Sequence, residues 1–150
     1  MYLTYNFRGI NGDLHIKRNN EIEFPSFINL DSINGNLLIS DNINVTKINI
    51  ASNLNFIGTG YRLSDNSLLN DSLLNLTVQS INGSIEIRNN NNLKTIEGFN
   101  FHNEINFIRI YLNKDLLEIN GLNNFQGFLH TIDISNNNNL ENCNILNETK

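Results

Sequence analysis

Residues 33–42 read Ile33-Asn34-Gly35-Asn36-Leu37-Leu38-Ile39-Ser40-Asp41-Asn42, and residues 81–90 read Ile81-Asn82-Gly83-Ser84-Ile85-Glu86-Ile87-Arg88-Asn89-Asn90. The two stretches superpose without a gap. Their opening phrase also occurs at Ile10-Asn11-Gly12, 23 residues before Ile33, and Ile81 follows Ile33 by 48, or two periods of 24. A fixed period of this size is the signature of stacked supersecondary units. Set in that frame, the chain of 150 residues holds six copies, whose strand segments start at Leu14, Leu37, Tyr61, Ile85, Ile108 and Ile132.

Columns of like residues fill the frame. Two residues after each start stand Ile16, Ile39, Leu63, Ile87, Ile110 and Ile134. Five after stand Asn19, Asn42, Asn66, Asn90, Asn113 and Asn137, without a break. Eight after stand Ile22, Val45, Leu69, Leu93, Leu116 and Leu140, and seven before stand Phe7, Leu30, Leu54, Val78, Phe101 and Phe125. The start column and the column two beyond it share one face of a strand. One coil cannot bury that face alone. Stacking coils about 4.8 Å apart buries it as a continuous core. The sequence therefore predicts a mainly β, right-handed parallel β solenoid of about six coils of 23–24 residues. Asn-Gly pairs often mark hairpins, but a hairpin would reverse the strand and break the translational repeat. Gly12, Gly35 and Gly83 precede the strands, where a bend with positive φ is expected.

The segment from Phe27 to Ile48, Phe-x-x-Leu-x-x-Ile-x-Gly-x-Leu-x-Ile-x-x-Asn-x-x-Val-x-x-Ile, resembles a leucine-rich repeat with one extra residue after the Asn. It is most similar to the receptor L-domain style of growth-factor receptor ectodomains and bacterial surface proteins. Ile132 to Cys143 repeats the phrase, with Cys143 in the column of Ile48, Ile96 and Ile119. The resemblance covers about residues 7–146. It implies protein or glycan recognition on the strand face. It also implies that the column Asn points inward and bonds backbone groups, which is what burial demands of an amide side chain.

Composition bounds the rest. Roughly a quarter of the residues are Asn, a poor helix former at home in turns. The net charge is −5 and no run of Lys or Arg could neutralise successive phosphates, so no nucleic-acid partner is expected. The one cysteine, Cys143, excludes an intrachain disulfide and is expected in the core. Met1–Asn6 lacks a basic and apolar leader, and no apolar run reaches the length of a membrane span; a cytoplasmic setting is the default expectation.

On each strand the residues one and three after the start should face outward. The first track reads His15, Leu38, Arg62, Glu86, Arg109, Asp133, and the second Lys17, Ser40, Ser64, Arg88, Tyr111, Ser135. Alternating charge on neighbouring strands stabilises a sheet modestly. The same side chains offer a recognition surface with Arg and Tyr anchors. The expected binding residues are Arg62, Glu86, Arg88, Arg109, Tyr111 and Asp133. Asp41 and Asp65 share a frame position and could pair on Ca²⁺ or as an acid dyad. Arg18, Asn89, Leu112 and Asn136 fill the rest of that column, so they are read as turn residues. His15, His102 and His130 fall at unrelated positions. No catalytic residue, metal site or cofactor is expected.

The expected function is a non-catalytic module for a protein or glycan partner. A structural spacer or a piece of a longer solenoid is the alternative, and a carbohydrate-active β-helix enzyme stands third. One domain is expected: residues 1–13 as lid and first arc, 14–146 as repeats and 147–150 as tail. Tyr2, Leu3, Tyr5 and Phe7 have the spacing of an extended lid, and the more polar C-terminal end is the expected surface for self-association.

Overall fold

The computed structural model describes residues 5–22, 24, 26–48, 52–69, 78–97, 104–120, 125 and 127–143. Every regular element among them is a strand. The first coil holds β1 (Gly9–Ile10) and β2 (Leu14–Lys17), the second β3 (Ser32–Ile33) and β4 (Asn36–Ser40). The third holds β5 (Phe56–Ile57) and β6 (Gly60–Ser64), and the fourth β7 (Ser80–Ile81), β8 (Ser84–Arg88) and β9 (Thr95–Ile96). The fifth holds β10 (Ile105–Tyr111) and β11 (Glu118–Ile119), and the last β12 (Leu129–Ser135) and β13 (Asn142–Cys143).

All strand pairs are parallel. The main sheet runs β12-β10-β8-β6-β4-β2, flanked by β1-β3-β5-β7 and β13-β11-β9. The chain is thus a parallel β solenoid, with about five turns separating the six strands of its main sheet. The register is the one the repeat predicts: Leu14 faces Leu37, then Tyr61, Ile85, Ile108 and Ile132 in succession. Leu37, Tyr61, Ile85 and Ile108 are buried beside Ile39, Leu63, Ile87 and Ile110. Leu30, Leu54 and Val78, with Val45, Leu69, Leu93 and Leu116, close the core from the other sides.

The Asn column forms a buried ladder. The backbone N–H and Nδ2 of Asn42 both donate to Oδ1 of Asn66, at 3.2 and 3.0 Å. Asn66 repeats this on Asn90, Asn90 on Asn113, and Asn113 on Asn137. Each Nδ2 also donates to a strand carbonyl one coil back, as Asn90 does to Leu63 at 3.0 Å. The amides therefore join coil to coil. Turn bonds follow from the backbone itself: the carbonyl of each rung accepts the N–H three residues on, Leu93 to Asn90 at 3.0 Å for example.

Several expectations need correction. Gly12, Gly35 and Gly83 do not occupy the left-handed region. What Gly83 serves is close stacking, because a Cβ there would lie 1.6 Å from the carbonyl oxygen of Thr59. The left-handed residues come after the strand instead, one per coil: Arg18, Asp41, Asp65, Asn89, Leu112 and Asn136, with φ between 54 and 60°. In the last two coils the bend before the strand is gone, and β10 and β12 run straight through seven residues. Ile22 is exposed although its column is apolar, and so is Cys143, although it pairs in register with buried Ile119. Ser40 and Ser64, expected on the outward surface, are buried. Of the lid, Tyr5 and Phe7 pack on Phe27 with ring centroids 5.2 and 5.6 Å away, yet both rings stay exposed. Residues 1–4, Phe101, His102 and 144–150 lie outside the described residues.

Candidate functional site: the strand face of the main sheet

Parallel register places like frame positions side by side, so the outward tracks become rows across six strands. Arg62 pairs with Glu86, Glu86 with Arg109, and Arg109 with Asp133 along one row. Arg88 and Tyr111 adjoin in the next. Four of the six expected binding residues meet at Glu86. Its Oε2 accepts Nε–H of Arg62 at 3.0 Å, with Nη2 of the same guanidinium in ion-pair contact at 2.8 Å. Its Oε1 accepts the hydroxyl of Tyr111 at 2.8 Å and lies 3.1 Å from Nε of Arg88 in a second ion pair. Each oxygen thus takes one hydrogen bond and one ion-pair contact.

The network continues on the turn side. Nη2 of Arg88 lies 3.3 Å from Oδ2 of Asp65, whose Oδ1 accepts Nδ2 of Asn89 at 2.9 Å. Asp65 is therefore committed to a cation and an amide. Asp41 accepts the hydroxyl of its neighbour Ser40 at 3.1 Å. Both aspartates are the left-handed turn residues of their coils. The charges of Arg62, Arg88, Glu86 and Asp65 cancel. Partial burial and the Glu86 carboxylate push the Tyr111 phenol above its ordinary range.

Arg109 and Asp133 stand apart from the hub. The Arg109 guanidinium lies 4.5 Å from the centre of the Phe107 ring, a cation–π contact. Asp133 is exposed on β12. His15 lies 3.5 Å from Asp13, and His130 pairs with Glu104 at the other end of the sheet. Backbone and side-chain N–H groups of Asn36 hold the Asp13 carboxyl below the usual range. Among the described residues, no group of three or more His, Cys, Asp or Glu gathers, and no helix is long and apolar enough to cross a membrane.

One feature of this face was not expected. A depression of about 370 Å³ opens over Gly60, bordered by Leu38, Arg62, Glu86 and Phe107. The row one residue before each start explains it: Asp13, Asn36, Gly60, Ser84, Phe107, Thr131. Gly60, the residue without a side chain, sits mid-row and lines the depression together with its row neighbours Asn36 and Ser84. Tracks read only after the start residue pass over this gap. Comparison of the chain with protein-family models, with curated proteins and with solved structures finds no match.

Proposed function

We propose that this chain is a non-catalytic recognition module that takes a protein or glycan partner on the strand face, through Arg62, Glu86, Arg88, Arg109, Tyr111 and Asp133. The observation that carries this reading is the Glu86 hub. Ion pairs contribute about 0–1 kcal/mol to stability when exposed; here the Glu86 and Arg88 side chains are only 13% and 28% exposed, so the four interlocked polar side chains also add to stability. Their geometry has another effect. Arg and Tyr side chains already held in place lose less freedom when a partner binds. The Glu86 carboxylate is engaged by Arg62, Arg88 and Tyr111, and Asp65 by Arg88 and Asn89, so neither is a ready general base, which favours recognition over catalysis. The leucine-rich-repeat and receptor L-domain resemblance supports the same face. A spacer role has one observation of its own: Ile132 on β12, the edge strand of the main sheet, is 43% exposed, a surface on which a further coil could stack.

The test is capture of binding partners on the immobilised chain, from a protein library and a glycan array. Tyr111→Ala and Arg88→Ala should each weaken the captured partner by more than about 1 kcal/mol. Glu97→Ala, on the opposite arc, should not. Loss of binding with Glu97→Ala and normal binding by the other two would move the site off the strand face.

A further inference from the structure

We infer that the depression over Gly60 is a subsite for one or two rings of a neutral saccharide, an assignment that rests on the strand-face reading and narrows it. Its volume of about 370 Å³ falls at the small end of the roughly 300–1,000 Å³ typical of ligand pockets. Its two ends are apolar, its sides carry the paired Arg62 and Glu86, and its floor is polar. Leu38 stands on β4 and Phe107 on β10, three strand spacings or about 14 Å apart. Between them lie Gly60, Ser84 and Thr59. Nδ2 of Asn36 donates to Asp13, and Oδ1 of Asn36 stands over the floor, 3.4 Å from where a Cβ on Gly60 would be. Arg109 lies over the Phe107 ring and fixes it as a wall.

Charge then selects the ligand. Arg62 and Arg88 are balanced by Glu86 and Asp65, and Arg109 is turned onto the Phe107 ring. The two charges that border the depression, Arg62 and Glu86, are thus paired with each other, so the border itself calls for no ionic ligand. An apolar side chain of a protein partner would fill the volume, but it would desolvate the polar groups of Asn36, Ser84 and Thr59 that line it without replacing their hydrogen bonds. A saccharide offers a C–H face to Leu38 at one end or to Phe107 at the other, and hydroxyls to the polar groups between, so it suits both.

The experiment is a titration of the full ¹⁵N-labelled chain with cellobiose, maltose, lactose and N,N′-diacetylchitobiose, read by backbone amide shifts. At least one should give saturable shifts at Gly60, Ser84 and Phe107, with Kd in the range of about 1 mM. Phe107→Ala should weaken it at least about tenfold. Ser84→Leu, which replaces a floor hydroxyl with an apolar group, should do the same, and Glu97→Ala should leave the affinity unchanged. Silence of the three amides with all four sugars would overturn the assignment, as would shifts that survive both Phe107→Ala and Ser84→Leu. If the sugars fail while a captured protein still depends on Tyr111 and Arg88, the saccharide subsite falls and the strand-face reading stands.

Discussion

Ile87 and Ile134 occupy the same frame position, two coils apart, and live in different surroundings. Ile87 is fully buried between Leu63 and Ile110, while Ile134 lies on β12, where the start-column residue Ile132 is 43% exposed; Phe128, just before that strand, is 81% exposed. The other end of the stack is better covered: Ile16 is only 8% exposed, and Tyr5, Phe7 and Phe27 form an aromatic cluster nearby. A repeat pattern is translationally invariant, and burial is not. Identical letters therefore carry different energies according to whether a coil lies on both sides.

The sharpest way to break this comparison is a matched truncation. Ile87→Ala should cost about 3–4 kcal/mol, because four neighbouring columns cannot collapse into the cavity. Ile134→Ala should cost about 1 kcal/mol, since part of that side chain's surface is already wet. Urea titrations of the two variants measure the difference. Equal costs would mean that the last coil is as well packed as the middle.

The ladder offers a second contrast. Asn90→Leu removes the acceptor for both N–H donors of Asn66 and the donor to the Leu63 and Arg88 carbonyls. Such orphaned buried groups should cost on the order of 2–3 kcal/mol. Asn137 is only half-buried, so Asn137→Leu should cost about 1 kcal/mol, and Asn92→Leu, off the column, a few tenths of a kcal/mol. Thermal melts rank the three.

The smallest effect has the opposite sign. Leu112 holds φ at 58°, a conformation that suits the Asn and Asp found in four of its five counterparts. Leu112→Asn should stabilise by about 0.5–1 kcal/mol. A loss of stability would show that the exposed leucine contributes packing that outweighs its backbone strain.

Much of this was legible in the residues. The start column and the Asn column recur in every coil, so both the register and the inward amides could be read directly. The left-handed column was legible only in part: Asp41, Asp65, Asn89 and Asn136 suit a turn, but Arg18 and Leu112 share their backbone conformation without the chemistry that signals it. The Ile-Asn-Gly phrase does not mark the left-handed bend: Gly35 and Gly83 answer to coil-on-coil contact, and Gly12 to neither contact nor φ. In the candidate site, the Arg62–Glu86 neighbours follow from the row. The diagonal bonds from Tyr111 to Glu86 and from Arg88 to Asp65 depend on side-chain length and direction, which a row of letters does not encode.

The coil-to-coil ladder is tested most directly by amide hydrogen exchange. Backbone N–H groups of Asn42, Asn66, Asn90 and Asn113 each donate to the next rung's Oδ1. They should exchange among the slowest in the chain, near the global unfolding limit, while Asn92 exchanges fast. Exchange at Asn66 and Asn90 as rapid as at Asn92 would contradict the buried ladder, and with it the stacked register that assembles the strand face.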